Sequence, residues 1–226
     1  MIEFRSAPLY GGAMAVDIPA NYQHASTLRQ VPDNQEVFLS PTTLTNIIIE
    51  INERVEQQAQ PFSTPNAAQE GEPVLTTVAN DVAASLYHLY DICDANGDKY
   101  EVLDPPRAVR LPKVDAPAYI SQALIHTDTP TDGPNTTQTA ISTREMSSLA
   151  VSQQPRTRKT TTTCHFLLVR LEPVQADLLV QVIVPHREFD DSATSGEIAM
   201  EESFAHDVMD QMTRSLEIRD YGLFGS

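Results

Sequence analysis

Asp33 and Glu36 are the carboxylates whose types and spacing raise a chemical question. They sit in Val31-Pro32-Asp33-Asn34-Gln35-Glu36-Val37-Phe38, with an amide pair between them. Two carboxylates can act as general acid and general base, which needs a cleft and two separated pKa values. On that reading the protein is a hydrolase. The same four polar side chains can instead form a surface that another protein reads. They can also be a solvated turn ahead of a strand. Residue types alone leave all three readings open.

Little elsewhere in the chain supplies catalytic company. There is no Walker loop, no GxGxxG, no GxSxG and no HExxH, so no motif calls for a cofactor. The six histidines show no metal-ligand spacing on a convincing helical face. His165 lies inside an apolar run and reads as structural. His88 and His206 read as helical residues on the polar side of their stripes. Cys164 and His165 are neighbours on a strand and point to opposite faces, so adjacency does not make them a nucleophile–base pair. Asp94-Ala95-Asn96-Gly97-Asp98 has the wrong glycine and glutamate spacing for a calcium loop and reads as a turn. Cys93 and Cys164 are far apart, which suits neither a metal site nor a disulfide framework and points to a reducing compartment.

The whole-chain charge narrows the partners. The 226 residues include 15 Lys+Arg against 31 Asp+Glu, a formal net charge of −16. Nucleic acid and anionic membrane surfaces are disfavoured as partners, because both require cationic neutralisation. Basic proteins are favoured, and the charge would steer their encounter. No run reaches the roughly 18 apolar residues of a membrane span, and the first residues do not read as a signal peptide. The expectation is a soluble intracellular monomer, which makes the sequon at Asn135-Thr136-Thr137 an accident.

With 41% hydrophobic residues the chain can bury a core, and its length fits a single domain over 1–226. Leu9-Tyr10-Gly11-Gly12 reads as a turn into a strand at 14–18 with period-two alternation. Val37-Phe38-Leu39 reads as a second strand. Ser40-Pro41 resembles a helix start, and Leu44, Ile47, Ile48, Ile51 and Val55 fall at helical spacing, predicting a helix to about Gln58. Residues 60–72 read as a loop. A second helix is predicted from about Pro73, with Leu75, Val78, Val82, Leu86 and Leu89 as its stripe.

Residues 117–127 predict a strand. Residues 127–157, rich in Thr, Ser, Pro and Gln, read as a flexible insertion. Two β-rich runs, 161–171 and 176–184, joined by Glu172–Gln175, predict an antiparallel hairpin covered on both faces. Thr194 and Glu197 resemble a capping box opening a third helix, with Phe204, Val208, Met212 and Leu216 buried. This order is α+β: a mainly antiparallel sheet flanked by helices.

Three blocks carry a resemblance. Leu9, Tyr10, Gly11, Gly12, Ala13 and Pro19 form the first. Leu28, Arg29, Val31, Pro32, Asp33, Gln35, Glu36, Val37 and Phe38 form the second. The hairpin run and Arg219–Gly225 form the third. Together they resemble the Mog1 family, Ran-interacting proteins of nuclear transport. The resemblance implies a Mog1/PsbP-like fold and a non-enzymatic protein of nucleus and cytoplasm that binds a Ran-type small GTPase and promotes nucleotide release. It places the family's Ran-contacting carboxylates on Asp33 and Glu36. Asn34, Gln35 and Arg29 lie beside them as further binding candidates, and another acidic position of the family falls near His24. These carboxylates are expected to be exposed, with Pro32 stiffening the approach, Val37-Phe38 anchoring the strand behind them, Leu28 and Val31 as packing residues and Arg29 pairing with a carboxylate.

Overall fold

The computed structural model describes residues 2–55, 73–130, 157–189 and 196–224. The predicted loop 60–72, Asn135, Thr194 and the body of the predicted insertion lie outside the described residues. The first strands are β1 (Phe4–Leu9), β2 (Met14–Pro19), β3 (Gln23–His24), β4 (Gln35–Leu39) and β5 (Asn46–Glu53). Helix α1 (Pro73–Asp94) is followed by β6 (Lys99–Val109), β7 (Ala118–Pro130), β8 (Thr157–Leu171) and β9 (Ala176–Pro185). Helix α2 (Glu197–Ser215) and β10 (Glu217–Ile218) complete the order.

The strands form a seven-stranded sheet in the order β3-β4-β5-β9-β8-β7-β6 and a three-stranded sheet in the order β1-β2-β10. Each pairing in both sheets is antiparallel. The α+β reading and the 161–171/176–184 hairpin both stand.

The hairpin occupies the middle of the large sheet, and alternation sends its side chains into two cores. Leu167, Val169 and Leu171 join Leu178, Val180 and Val182 in one core, with Ile47 and Ile49 of β5. Helix α2 packs there against β8, β9 and β2, burying Val208, Met212 and Leu216 as its stripe predicted. Cys164, Phe166, Leu168 and Leu179 face the other way, into a second core with Leu89 and Cys93 of α1. A strand apolar on both faces is what two covered faces require. Each fully buried Leu or Phe contributes about 1.5–3 kcal/mol relative to exposure.

The helix predicted from Pro41 to about Gln58 gives way to strand β5 over Asn46–Glu53, and residues 56–58 lie outside the described residues. Ser40 Oγ does accept from the amides of Thr42 and Thr43, at 3.3 and 3.1 Å, but closes a bend rather than a helix. The following run Ile47-Ile48-Ile49 is β-branched, which stiffens χ1 and suits a pleated surface. Both strand edges are occupied, by β4 and β9. Strand β6 was also missed. It carries Pro105 and Pro106 and register shifts, tolerable because it is the edge strand of the sheet.

The two ends of the predicted insertion, 127–130 and Thr157, are strand. Thr127 pairs with Thr160 and Pro130 with Thr157, continuing the β7–β8 ladder. Helix α2 begins at Glu197, with Gly196 at the N-cap and no side-chain cap, so Glu197 is not the third residue of a capping box.

His88 is not on a solvent face. Asp81, Ser85 and His88 form a buried polar stripe on α1 that meets the closed end of the hairpin. Arg170 Nε donates to Asp81 at 3.1 Å and Nη1 to Asp177 at 2.7 Å, while His88 Nε2 lies 2.8 Å from the same Asp177 oxygen. Arg170→Met leaves two buried carboxylates short of their cation, so it should cost about 3–5 kcal/mol in a urea unfolding titration.

A second polar cluster ties α2 to β8. His165 Nε2 is 3.0 Å from one Glu202 oxygen and His186 Nε2 is 3.1 Å from the other. Burial raises the Glu202 pKa, but hydrogen bonds from His165, Thr163 and His186 outweigh it, holding the carboxyl below its ordinary 4.5. A depressed carboxylate stabilises fully above its unfolded pKa and loses that contribution as pH falls through the folded value. Wild type should therefore lose melting temperature below pH 4.5 more steeply than Glu202→Gln.

Candidate functional site

The acidic stretch is built on a turn and the first half of β4. The Gln35 amide donates to the Pro32 carbonyl at 2.9 Å, closing a β-turn with Asp33 and Asn34 at its centre. Asp33 is exposed at this tip. Strand alternation then divides the remaining residues. Gln35 faces the α1 side with Glu50 across the ladder. Glu36 points the other way, onto the face that carries Phe38.

Glu36 is half-buried rather than exposed, with 15% of its side chain accessible. One carboxylate oxygen accepts from the Tyr10 amide at 2.5 Å. The other is hydrogen-bonded to His24 Nε2. The Tyr10 amide can reach it because Tyr10, Gly11 and Gly12 take positive φ values of 49°, 66° and 96°. That left-handed turn is undemanding for the glycines and strained for tyrosine. The His24 ring also stacks edge-on against Phe38, with centroids 5.0 Å apart.

Tyr10 also pins the turn. Its phenol donates to the carbonyls of Asn34 and Ile49, each at 3.0 Å. Burial raises its pKa well above the ordinary value, and the neighbouring charges of Glu36 and Glu50 raise it further. Asn34 Nδ2 donates to Glu50 and to the Ile51 carbonyl, both at 3.2 Å, so this amide holds the turn to β5.

The five candidates thus do not form one cluster. Asp33 and Arg29 are exposed. Asn34 is committed to β5, Gln35 faces a cleft, and Glu36 is engaged from behind. Among the described residues, Arg29 makes no ion pair, contrary to expectation. Leu28 does not pack: it is 69% exposed, an apolar side chain presented on the loop that leads to Asp33. Sequence reasoning missed Tyr10 as a partner of Glu36, and the Tyr-Gly-Gly turn was the signal that could have found it.

A cleft of about 280 Å³ lies between the C-terminal half of α1 and the faces of β4, β5 and β9, lined by Gln35, Glu50, Asn52, His88, Asp91 and Gln181 among others. Neither Asp33 nor Glu36 lines it. The thiols of Cys93 and Cys164 are buried and unpaired. Burial pushes them up, to about 11 and about 12 respectively, so they are not nucleophiles near neutrality.

The site is an open acidic turn on an antiparallel α+β domain, and the second carboxylate of the turn is already hydrogen-bonded. The chain belongs to the Mog1 family: the family model described as "Ran-interacting Mog1 protein" matches residues 7–185. It is similar to a Ran guanine nucleotide release factor of Danio rerio, 35% identical over 40% of this chain and 38% of that protein. It also resembles the nuclear import protein mog1 of Schizosaccharomyces pombe, 50% identical over 26% of this chain and 30% of that protein. Those two matches thus span less than two fifths of each relative's own length.

A longer match, 24% identical over 98% of this chain and 96% of the relative, is to a probable ran guanine nucleotide release factor of Dictyostelium discoideum. The crystal structure of the Saccharomyces cerevisiae Ran-binding protein Mog1p superposes with a TM-score of 0.60 over the full length of both chains, at 19% identity. That likeness shows the fold. No helix among the described residues is long and apolar enough to cross a membrane.

The Tyr10 bonds make a stability prediction. Tyr10→Phe keeps the ring and removes the donor to two carbonyls, so it should cost about 0.5–1.5 kcal/mol. Hydrogen exchange of the Gln35 and Ile51 amides should accelerate with it. Unchanged exchange there would mean that the phenol does not hold the turn.

Proposed function

We propose that this protein binds a Ran-type small GTPase through the Leu28–Glu36 surface, promotes release of its guanine nucleotide, and so supports protein transport between cytoplasm and nucleus. The observation that carries the reading is the form of the acidic turn: Asp33 is exposed at the tip of a segment fixed from behind by Tyr10 and β5. A rigid, charged surface loses little freedom on binding and steers a basic partner toward it. The net charge of −16 acts in the same sense. The names of the relatives supply the partner class.

Release needs no covalent step. A protein that binds the nucleotide-free GTPase more tightly than the loaded form shifts the equilibrium by that difference in affinity, and the nucleotide weakens the protein's binding by the same factor. In this reading Asp33 makes the outer electrostatic contact, with Arg29 beside it and Leu28 as an apolar anchor. Glu36, Asn34 and Gln35 fix the shape of the turn and keep residual polar capacity for the partner. An acid/base role for Asp33 and Glu36 has less support, since both oxygens of Glu36 are already hydrogen-bonded and neither residue lines the cleft beside α1.

Exposure of Asp33 and burial of Glu36 separate the expected variants. Asp33→Lys should abolish capture of purified Ran in a pull-down and leave the melting temperature within about a degree, as surface substitutions generally do. Glu36→Lys should lose capture and stability together, because it places a cation against the Tyr10 amide and His24. Glu36→Gln keeps an acceptor and isolates the charge. Full capture by folded Asp33→Lys would remove this surface from the account.

A further inference from the structure

The cleft beside α1 holds polar groups with few partners among the described residues. Gln181 is 3% exposed, on the α1-facing side of β9, and lines the cleft. Its amide makes no side-chain hydrogen bond among the described residues, which leaves its oxygen free to accept from a group in the cleft. Two carboxylates share the cleft, Glu50 from β5 and Asp91 from α1. Neither has a lysine or arginine within ion-pair distance among the described residues. Among the described residues, Glu50 accepts a side-chain hydrogen bond only from Asn34. The C-terminal end of α1 closes one side at Ala95, where the helix dipole favours positive charge.

We propose that this cleft takes one arginine side chain from the GTPase partner. A guanidinium has five N–H donors and no acceptor, matching the carboxylates of Glu50 and Asp91 and the carbonyl oxygens of Gln181 and Asn52. Ile48 and Leu179 provide apolar walls for the methylene stem. A volume of about 280 Å³ falls below the usual ~300 Å³ lower bound of small-molecule pockets and suits a single side chain. Glu50 joins the cleft to the acidic turn through Asn34, so one partner can engage both. The partner's identity rests on the function proposed above. The chemistry of the cleft does not.

Two arms test the inference. In the first, the ¹⁵N-labelled full chain is titrated with N-acetyl-arginine amide and separately with N-acetyl-citrulline amide, its neutral isostere. The Gln181 side-chain signals and the Asp91–Ala95 amides should shift saturably with the arginine compound and not with citrulline. Gln181→Leu should abolish the response. No shift, or equal shifts with both compounds, overturns the proposal.

In the second arm, Glu50→Gln/Asp91→Asn is compared with Asp33→Lys for affinity to purified Ran. The double variant should weaken binding by more than about tenfold, as loss of a desolvated charge pair does, with an unchanged melting temperature. If Asp33→Lys loses binding and the double variant keeps it, the cleft proposal fails alone. If Asp33→Lys keeps binding, the acidic-turn reading fails, and the arginine titration still decides the cleft.

Discussion

The Glu36 carboxylate ties the Tyr-Gly-Gly turn to the paired edge strands β3 and β4. The Tyr10 amide at the end of β1 reaches one oxygen, and His24 of β3 reaches the other, while Glu36 belongs to β4. The half-buried charge is acceptable because both oxygens have donors. In return it fixes the Tyr-Gly-Gly turn against the edge of the large sheet, and the Tyr10 ring then holds the Asp33–Asn34 tip. Loss of that carboxylate would release both the turn and the tip. The exposed charge of Asp33 therefore depends on a neighbouring charge that is hidden.

Alternation along β4 gives the site its second feature. Gln35 and Glu36 face opposite sides of the sheet, so one polar stretch serves two environments. One side meets Tyr10 and His24. The other opens onto the cleft, where α1 lies against β6 and β7 and leaves part of the β4–β5 face uncovered. The polar contacts of α1 with Arg170 and Asp177 set where this helix sits, and hence how wide the cleft is.

How much of this the sequence showed depended on whether a residue's environment is encoded locally. Strands β8 and β9 were legible because a strand covered on both faces must be apolar throughout. The stripe of α2 was legible because one helix face meets one core. Residues 46–53 were not, since Leu44, Ile47, Ile48, Ile51 and Val55 satisfy a 3.6-residue period, while the strand is decided by the partners β4 and β9. Strand β6 was hidden by its prolines, which only an edge position permits. His88 read as solvent-facing because a buried polar stripe makes sense only once Arg170 and Asp177 are known to oppose it. The exposure of Asp33 follows from its place in the turn ahead of β4, whereas the burial of Glu36 required the Tyr10 backbone, which no spacing rule within 28–38 can reveal.

A fixed acidic surface that weakens a GTPase's hold on its nucleotide without covalent chemistry must change the nucleotide's release rate. The most direct measurement is the rate at which purified Ran loaded with a fluorescent guanine nucleotide releases it, with and without this protein, at physiological salt. Release should accelerate with protein concentration until it saturates, and the acceleration should shrink at high salt as the acidic surface is screened. A release rate that stays at its spontaneous value across saturating concentrations of the folded protein would contradict this role.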